Sequence, residues 1–224
     1  MNVSEAVEQR ISIRAFKPDP VPGDLVRDLL GRALRAPSGG NLQPWRIYAL
    51  AGTELARFKA LIVEKQAANP GAEPTQYPIY PDNLWDPYRT RRFECGEDLY
   101  ASIGVARENK LGRLMQMAKN YEFFGAPVGL FFCIDRNLGS AQWSDMGMLM
   151  QTVMLLAKER GLDTCAQEAW ARWGQTIADF LDLPPEMMMF SGMALGYRDE
   201  TAPINGWRTR RDGLDIVADL RGFD

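Results

Sequence analysis

Apolar residues recur along the chain with two different periods. Val26, Leu29, Leu30, Ala33 and Leu34 fall at i, i+3, i+4, i+7 and i+8 and mark one stripe of a helix over residues 24–35. Asn2 followed by Glu5 has capping-box spacing, and Val3, Ala6 and Val7 then define one face of a short first helix. Residues 45–50 (WRIYAL) read as a strand, 53–65 as a helix, and 98–120 as helical again. The continuous apolar run 128–134 (VGLFFCI) has strand length and composition. Residues 145–160 are helical, and 146–157 are apolar on nearly every side. That helix is expected to be buried all round, in the core or in a subunit interface. Shorter patterns predict a strand at 164–167, a helix at 175–181 that stops before Pro184-Pro185, a strand within 187–197, and a further strand at 214–220. Helices and strands mix without strict βαβ alternation, so an α+β fold is predicted rather than a doubly wound sheet. Residues 69–92 break both periods. Pro70, Pro74, Pro78, Pro81 and Pro87 alternate there with Tyr77, Tyr80, Trp85 and Tyr88. The stretch reads equally as an ordered surface excursion pinned by aromatics or as a lid over an aromatic ligand.

Composition narrows the function. The 224 residues are 46% hydrophobic and 25% charged, so a sizeable core is available, and the whole chain is read as one domain. The net charge of −3 argues against nucleic acid as a partner. The chain contains no histidine, which removes Ser-His and Cys-His catalysis and histidine metal ligation. Cys95, Cys133 and Cys165 are far apart and form no CxxC, so neither a disulfide framework nor a zinc cluster is expected, and the natural compartment is a reducing cytoplasm. The acidic start MNVSEAVEQR lacks the apolar core of a signal peptide, and no apolar run is long enough to predict a membrane span.

The common phosphate-loop, dinucleotide and serine-hydrolase motifs are missing, and no metal site is expected. If the chain is an enzyme, an organic cofactor carries the chemistry. Three segments point to where it would sit. Arg10, Ser12 and Arg14 alternate, so an extended segment presents all three on one side. They suit a phosphate or a polar ring edge, or they form a solvated basic stretch, which spacing alone favours. Pro37-Ser38-Gly39-Gly40-Asn41 either lets backbone approach a ligand closely or simply turns the chain. Arg208-Thr209-Arg210-Arg211 either holds a phosphate or lies charged on the surface.

Taken together, and in order, these segments resemble the FMN-dependent nitroreductase family. RISIRAF resembles the family's amino-terminal Arg-x-Ser-x-Arg-x-Phe, and APSGGNLQPW its Ala-Pro-Ser-x-x-Asn-x-Gln-Pro-Trp loop. GLDTCAQEA resembles the segment that passes the flavin ring, and SGMALGYRD with Asn205 and Arg208 to Arg211 resembles the carboxy-terminal block. PYRTRR and YEFFGAPVG look like the branch that reduces nitroaromatics such as nitrobenzoates.

The resemblance implies a mainly antiparallel sheet flanked by helices in an intertwined homodimer, with FMN at the interface. By that analogy Arg10 with Arg208 or Arg211 holds the phosphate, and Ser12 and Arg14 meet the pyrimidine edge. Pro37, Ser38, Gly39 and Asn41 reach the cofactor from the other subunit, and Gln167, Glu168 and Ala169 pass the ring, with the Glu168 backbone N–H toward N5. Ala169 departs from members that carry Gly there. Trp85, Tyr88 and Phe124 are the candidates to contact a small aromatic substrate. The implied activity is reduction of nitroaromatics two electrons at a time, with NADH or NADPH as reductant in a ping-pong cycle. The alternatives are another flavin-dependent reduction on the same scaffold (an enone, a quinone or a dehalogenation) or an FMN-binding protein that stores flavin without turnover.

Overall fold

Strand β2 (Val128–Asp135) is buried along nearly its whole length, and the rest of the molecule is layered on its two faces. The computed structural model describes residues 1–223. β1 (Trp45–Ala51), β2, β3 (Asp163–Gln167) and β4 (Met187–Gly196) form one sheet in the order β1-β2-β4-β3, and every neighbouring pair is antiparallel. Because side chains alternate along a strand, β2 sends Phe131 and Cys133 to one layer and Leu130, Phe132 and Ile134 to the other.

The first layer contains α3 (Gly52–Ala68), α7 (Gly174–Phe180) and two 3-10 turns, Lys119–Gly125 and Glu168–Trp173. Phe58, Phe123, Phe131 and Trp170 meet there, with ring centroids 4.7–6.4 Å apart. The second layer contains α2 (Gly23–Ala33) and α6 (Ser140–Glu159), which bury Val26, Leu29, Met146, Leu149 and Val153 against the sheet. Each such large side chain contributes about 1.5–3 kcal/mol when fully buried. The sheet is therefore covered on both sides, which fits the α+β expectation.

Two features fix the segment that precedes α2. α1 (Val3–Gln9) begins with the expected capping box: the Asn2 side chain accepts from the Glu5 N–H, and the Glu5 carboxylate accepts from the Asn2 N–H. After α1 the chain runs extended beside β3. The Ile13 N–H donates to the Thr164 carbonyl at 3.0 Å, Ser12 bridges to Thr164, and Phe16 bridges to Arg198. Asp163, at the start of β3, is almost fully buried. Its carboxylate accepts from Lys158 at 2.9 Å and from Arg198 at 2.7 Å, tying the end of α6 to the segment that leaves β4.

The structure corrects three expectations. The helix predicted over 98–120 is two helices, α4 (Tyr88–Ala101) and α5 (Lys110–Ala118). α4 starts directly after Pro87 and so takes in the last residues of the aromatic excursion. The break follows from Gly104 in a left-handed conformation and from Asn109, whose side chain caps α5 by accepting from the Gly112 N–H. The strand predicted at 214–220 is a short helix, α8 (Leu214–Val217), followed by irregular chain, with Leu214, Ile216, Val217 and Leu220 all exposed. Among the described residues no strand pairs with this segment, so nothing selects the extended form. In the single chain α6 leaves a stripe of Ser144, Gly147, Met148 and Gln151 exposed, so of the two places expected for it the core covers only one face. Finally, Phe124, expected to contact substrate, lies inside the core beside Phe123. Both residues adopt left-handed φ values, 51° and 54°, which turn the chain so that the rings pack inward.

Gly192 of β4 has no room for a side chain, because a Cβ there would lie 2.2 Å from Cδ1 of Trp170. Gly192→Ala should therefore lower stability by about 1–3 kcal/mol, the range for overpacking a core. A urea titration followed by tryptophan fluorescence measures it.

Candidate functional site

The extended segment after α1 builds one wall of a cavity of about 430 Å³. Arg10, Ile11, Ser12 and Arg14 line it, while Ile13 turns into the core and holds the segment to the sheet. The opposite wall is Trp207, Arg208, Thr209 and Arg211, and Val7, Glu8 and Gln151 complete it. Two of the three expected segments thus converge on one place. Among the described residues none of Arg10, Arg14, Arg208 and Arg211 forms an ion pair. Arg208 donates instead to the Glu8 main-chain carbonyl, and Arg211 to the Thr209 hydroxyl at 2.6 Å. The Arg10 guanidinium is pushed below its ordinary pKa, first by desolvation and then by the charges of Arg211 and Arg208. Clustered, uncompensated guanidiniums of this kind are suited to an anion with several acceptor oxygens.

The geometry also sorts the Arg208–Arg211 run. Arg210 points the other way and pairs with Asp98 of α4 at 2.7 Å, leaving Arg208 and Arg211 to face the cavity. Arg14 is held from three directions. Its N–H donates to the Asn205 side chain at 2.8 Å, its guanidinium donates to the Ser12 carbonyl at 3.2 Å, and it lies 5.9 Å from the Trp207 ring centroid. Asn205 is buried, and its amide donates to the carbonyls of Ala15 and Asp199, both at 2.8 Å. Sequence reading noticed Asn205 only as part of a motif. Its role as the clasp between the two walls depends on a contact across 191 positions that no local pattern reveals.

The loop Pro37–Asn41 does not line this cavity. Pro37, Gly39 and Asn41 are exposed, and Ser38 is half-buried. Gly40 and Asn41 take left-handed φ values of 57° and 55°, which opens the turn. The loop is pinned by Asp145 of α6, whose buried carboxylate accepts from the Gly39 N–H at 3.2 Å, and the Ser38 hydroxyl accepts from the Gln43 N–H at 3.0 Å. Asp145 is a second residue that sequence reading passed over.

The Gln167–Ala169 segment leaves β3 and enters the 3-10 turn. The Gln167 side chain is consumed inside the protein: it donates to the Asn120 carbonyl at 2.7 Å and accepts from the Trp170 indole at 3.4 Å, leaving only its main chain for a ligand. Ala169 is half-buried and Glu168 exposed. Partial desolvation nonetheless raises the Glu168 carboxyl above the usual range. Trp85 and Tyr88 are both exposed and meet edge to face, with centroids 5.6 Å apart. The neighbouring arginines are engaged within the chain: Arg89 with Asp86, Arg91 with Asp212, and Arg92 over the Tyr80 ring at 4.3 Å.

A two-layered α+β sheet with an arginine-lined anion cavity at its edge defines a class of domain that holds a phosphate-bearing cofactor. The chain belongs to the nitroreductase family, whose model matches residues 7–197. It is 38% identical to a 4-nitrobenzoate reductase of Pseudomonas putida over 97% of this chain and 95% of the relative. It is 36% identical to a nitrobenzene nitroreductase of Ectopseudomonas oleovorans over 91% and 89%. Among solved structures it superposes with a TM-score of 0.95 on an FMN- and NADPH-dependent nitroreductase from Sphigopyxis sp. strain HMH, at 46% identity over all of both chains. An FMN-dependent nitroreductase from Mycobacterium smegmatis, solved in complex with NADPH, gives 0.90 at 28% identity over 98% of this chain and 99% of that one.

The sorting of the arginines is directly testable with a simple phosphomonoester. Arg10→Ala should weaken binding by about 1.5–3 kcal/mol, the range for a hydrogen bond to a charged group. Arg210→Ala should leave the affinity nearly unchanged. Isothermal titration of the apoprotein with riboflavin-free phosphomonoesters measures both.

Proposed function

We propose that this protein is an FMN-dependent oxidoreductase that uses NADH or NADPH to reduce nitroaromatic compounds. The observation that carries the reading is the convergence of Arg10, Arg14, Arg208 and Arg211 on one cavity, where Glu8 is the one lining carboxylate and none of the four arginines forms an ion pair among the described residues. That donor set fits a phosphate at one end and a polar ring edge at the other. Arg10, Arg208 and Arg211 would hold the phosphate, and Ser12 and Arg14 the ring edge. When bound, FMN supplies the reversible two-electron chemistry that no side chain of a histidine-free protein offers.

The protein's own residues then have separable tasks. Arg14, fixed by Asn205 and Ser12, holds a positive charge where the ring edge would gain electron density, and a preorganised cation costs no rearrangement when that charge develops. Glu168 contributes through its backbone N–H rather than its carboxylate, because a negative charge beside a ring that gains electrons opposes the reaction. Trp85 and Tyr88 offer flat faces to an aromatic substrate.

The reading includes a homodimer in which Pro37, Ser38, Gly39 and Asn41 complete the partner's cofactor site. Several exposed apolar surfaces support it. α6 leaves Gly147 and Met148 uncovered next to Gln151, which itself lines the arginine cavity, and the chain end exposes Leu214, Ile216, Val217, Leu220 and Phe223. Such side chains would be covered if a second copy packed against them. Among the described residues no helix is long and apolar enough to cross a membrane.

The purified protein is expected to be yellow, to release FMN on denaturation and to sediment as a dimer. A colourless monomer that fails to take up added FMN would refute the reading. Under anaerobic NADPH the colour should bleach, then return on addition of 4-nitrobenzoate.

Glu168→Gln should retain turnover within about tenfold, or ~1.4 kcal/mol of barrier. Arg14→Ala should cost more. Stopped-flow absorbance of the two half-reactions compares them. Loss of the first half-reaction in Glu168→Gln but not in Arg14→Ala, with FMN still bound to both, would reverse the assignment.

A further inference from the structure

The first residues of the 69–92 excursion are fastened to the chain that follows β3. The Glu73 N–H donates to the Arg172 carbonyl at 2.9 Å, and the Arg172 guanidinium donates to the Gly71 carbonyl at 2.7 Å. The Glu73 carboxylate accepts from the Gln175 N–H at 2.9 Å, the Thr176 N–H at 3.1 Å and the Thr176 hydroxyl. α7 has no side-chain cap of its own, so Glu73 serves as its N-cap from about a hundred positions away. Donors left free in a helix's first turn, together with the positive end of its dipole, make a carboxylate a favourable partner there.

A second fastening lies four residues on. The Tyr77 hydroxyl donates to the Phe190 carbonyl, and its ring meets Trp143 edge to face at 5.2 Å. Burial raises the Tyr77 phenol well above its usual pKa, and the nearby Glu168 carboxylate raises it further. The strap thus runs beside residues 172–176 and across to Phe190 of β4.

Beyond it the excursion changes character. Among the described residues, no hydrogen bond joins residues 78–88 to any element except α4, whose first turn holds the Asp86 side chain. Ile79 alone packs against the core. The excursion is therefore a tethered arm: a fixed root at 71–77, a span at 78–84 without hydrogen bonds to other elements, and an end where Trp85 and Tyr88 stand exposed at the start of α4.

We propose that Glu73 is a positioning residue for substrate selection, which fixes the root of the arm to the turn beginning at Glu168 and so sets where Trp85 and Tyr88 are presented. The inference rests on the nitroaromatic-reductase reading above and names a determinant within it. Glu73 touches no substrate. It acts through the helix it caps and the strap it anchors.

The test uses the FMN-loaded protein with nitrobenzene, 4-nitrobenzoate and 1-nitronaphthalene as substrates. Glu73→Ala should raise KM for nitroaromatics roughly tenfold, the scale expected when a positioning element shifts. It should also change the ratio of kcat/KM between the single-ring and double-ring substrates. Affinity for FMN, read by fluorescence quenching, should stay constant. Glu73→Gln keeps a carbonyl acceptor for the α7 N–H groups and should restore most of the wild-type ratio. Thr176→Val, which removes only the hydroxyl donor, should move KM in the same direction by less, and it stands in if Glu73→Ala does not fold.

Hydrogen exchange gives a readout independent of activity. Amides of Glu73, Gln175 and Thr176, which bond at the anchor, should exchange faster in Glu73→Ala. Unchanged exchange would remove the anchor, and faster exchange with an unchanged substrate ratio would remove its role in selection. A wild-type protein that binds FMN but reduces no nitroaromatic would overturn the parent reading instead, while exchange still scored the anchor.

Discussion

Arg10, Arg208 and Arg211 repel one another, and the fold holds them together all the same. Two like charges a few ångströms apart cost on the order of 1–4 kcal/mol between bulk water and a protein surface. Each cation is delivered by a different constraint. Arg10 comes from the extended segment that Ile13 and Thr164 fasten to β3. Arg208 and Arg211 come from the chain that leaves β4 past Asp199 and Asn205, and Asn205 joins both walls through the Arg14 N–H and the Ala15 carbonyl. The buried Asp163 carboxylate, by contrast, forms ion pairs with both Lys158 and Arg198.

Much of this was legible in the sequence, for identifiable reasons. Alternation within residues 10–14 predicted a shared side, and the structure places Arg10, Ser12 and Arg14 in one cavity while Ile13 turns into the core, although Ile11 lines the cavity as well. β1, β2 and the capping box of α1 were visible because each signal is local. The unseen features were long-range. Asn205 to Arg14, Asp145 to Gly39 and Glu73 to Thr176 each join residues about a hundred or more positions apart, and each single residue looks unremarkable in its own segment. Phe124 misled because an aromatic in a turn looks available. Only the two successive left-handed residues reveal that its ring faces inward. The strand expected at 214–220 had the right alternation but, among the described residues, no strand to pair with.

The two halves of the candidate site differ in how they are made rigid. The arginine cavity is held by main-chain bridges to the sheet, which are slow to deform. The arm at 69–92 is held at a few side-chain contacts and is free in its middle. A cofactor that stays bound calls for the first kind of support. A succession of different small molecules entering and leaving calls for the second.

β4 contains a feature whose effect extends past the sheet. Phe132 pairs with Ser191 and Cys133 with Met189, so Phe190 is an extra residue bulged out of the ladder. The bulge reverses the strand's alternation. Before it Met189 faces the layer of Phe58 and Trp170 while Met188 faces α6; after it Ala194 takes the first side while Met193 and Leu195 take the second. The Phe190 carbonyl, released from the ladder by this phase change, is the acceptor for Tyr77. The arm can therefore dock only on a sheet whose strands have already found the correct register. A β4 paired one residue out would offer Tyr77 no free carbonyl at that place. The bulge thus ties the place where the arm docks to the register of β4.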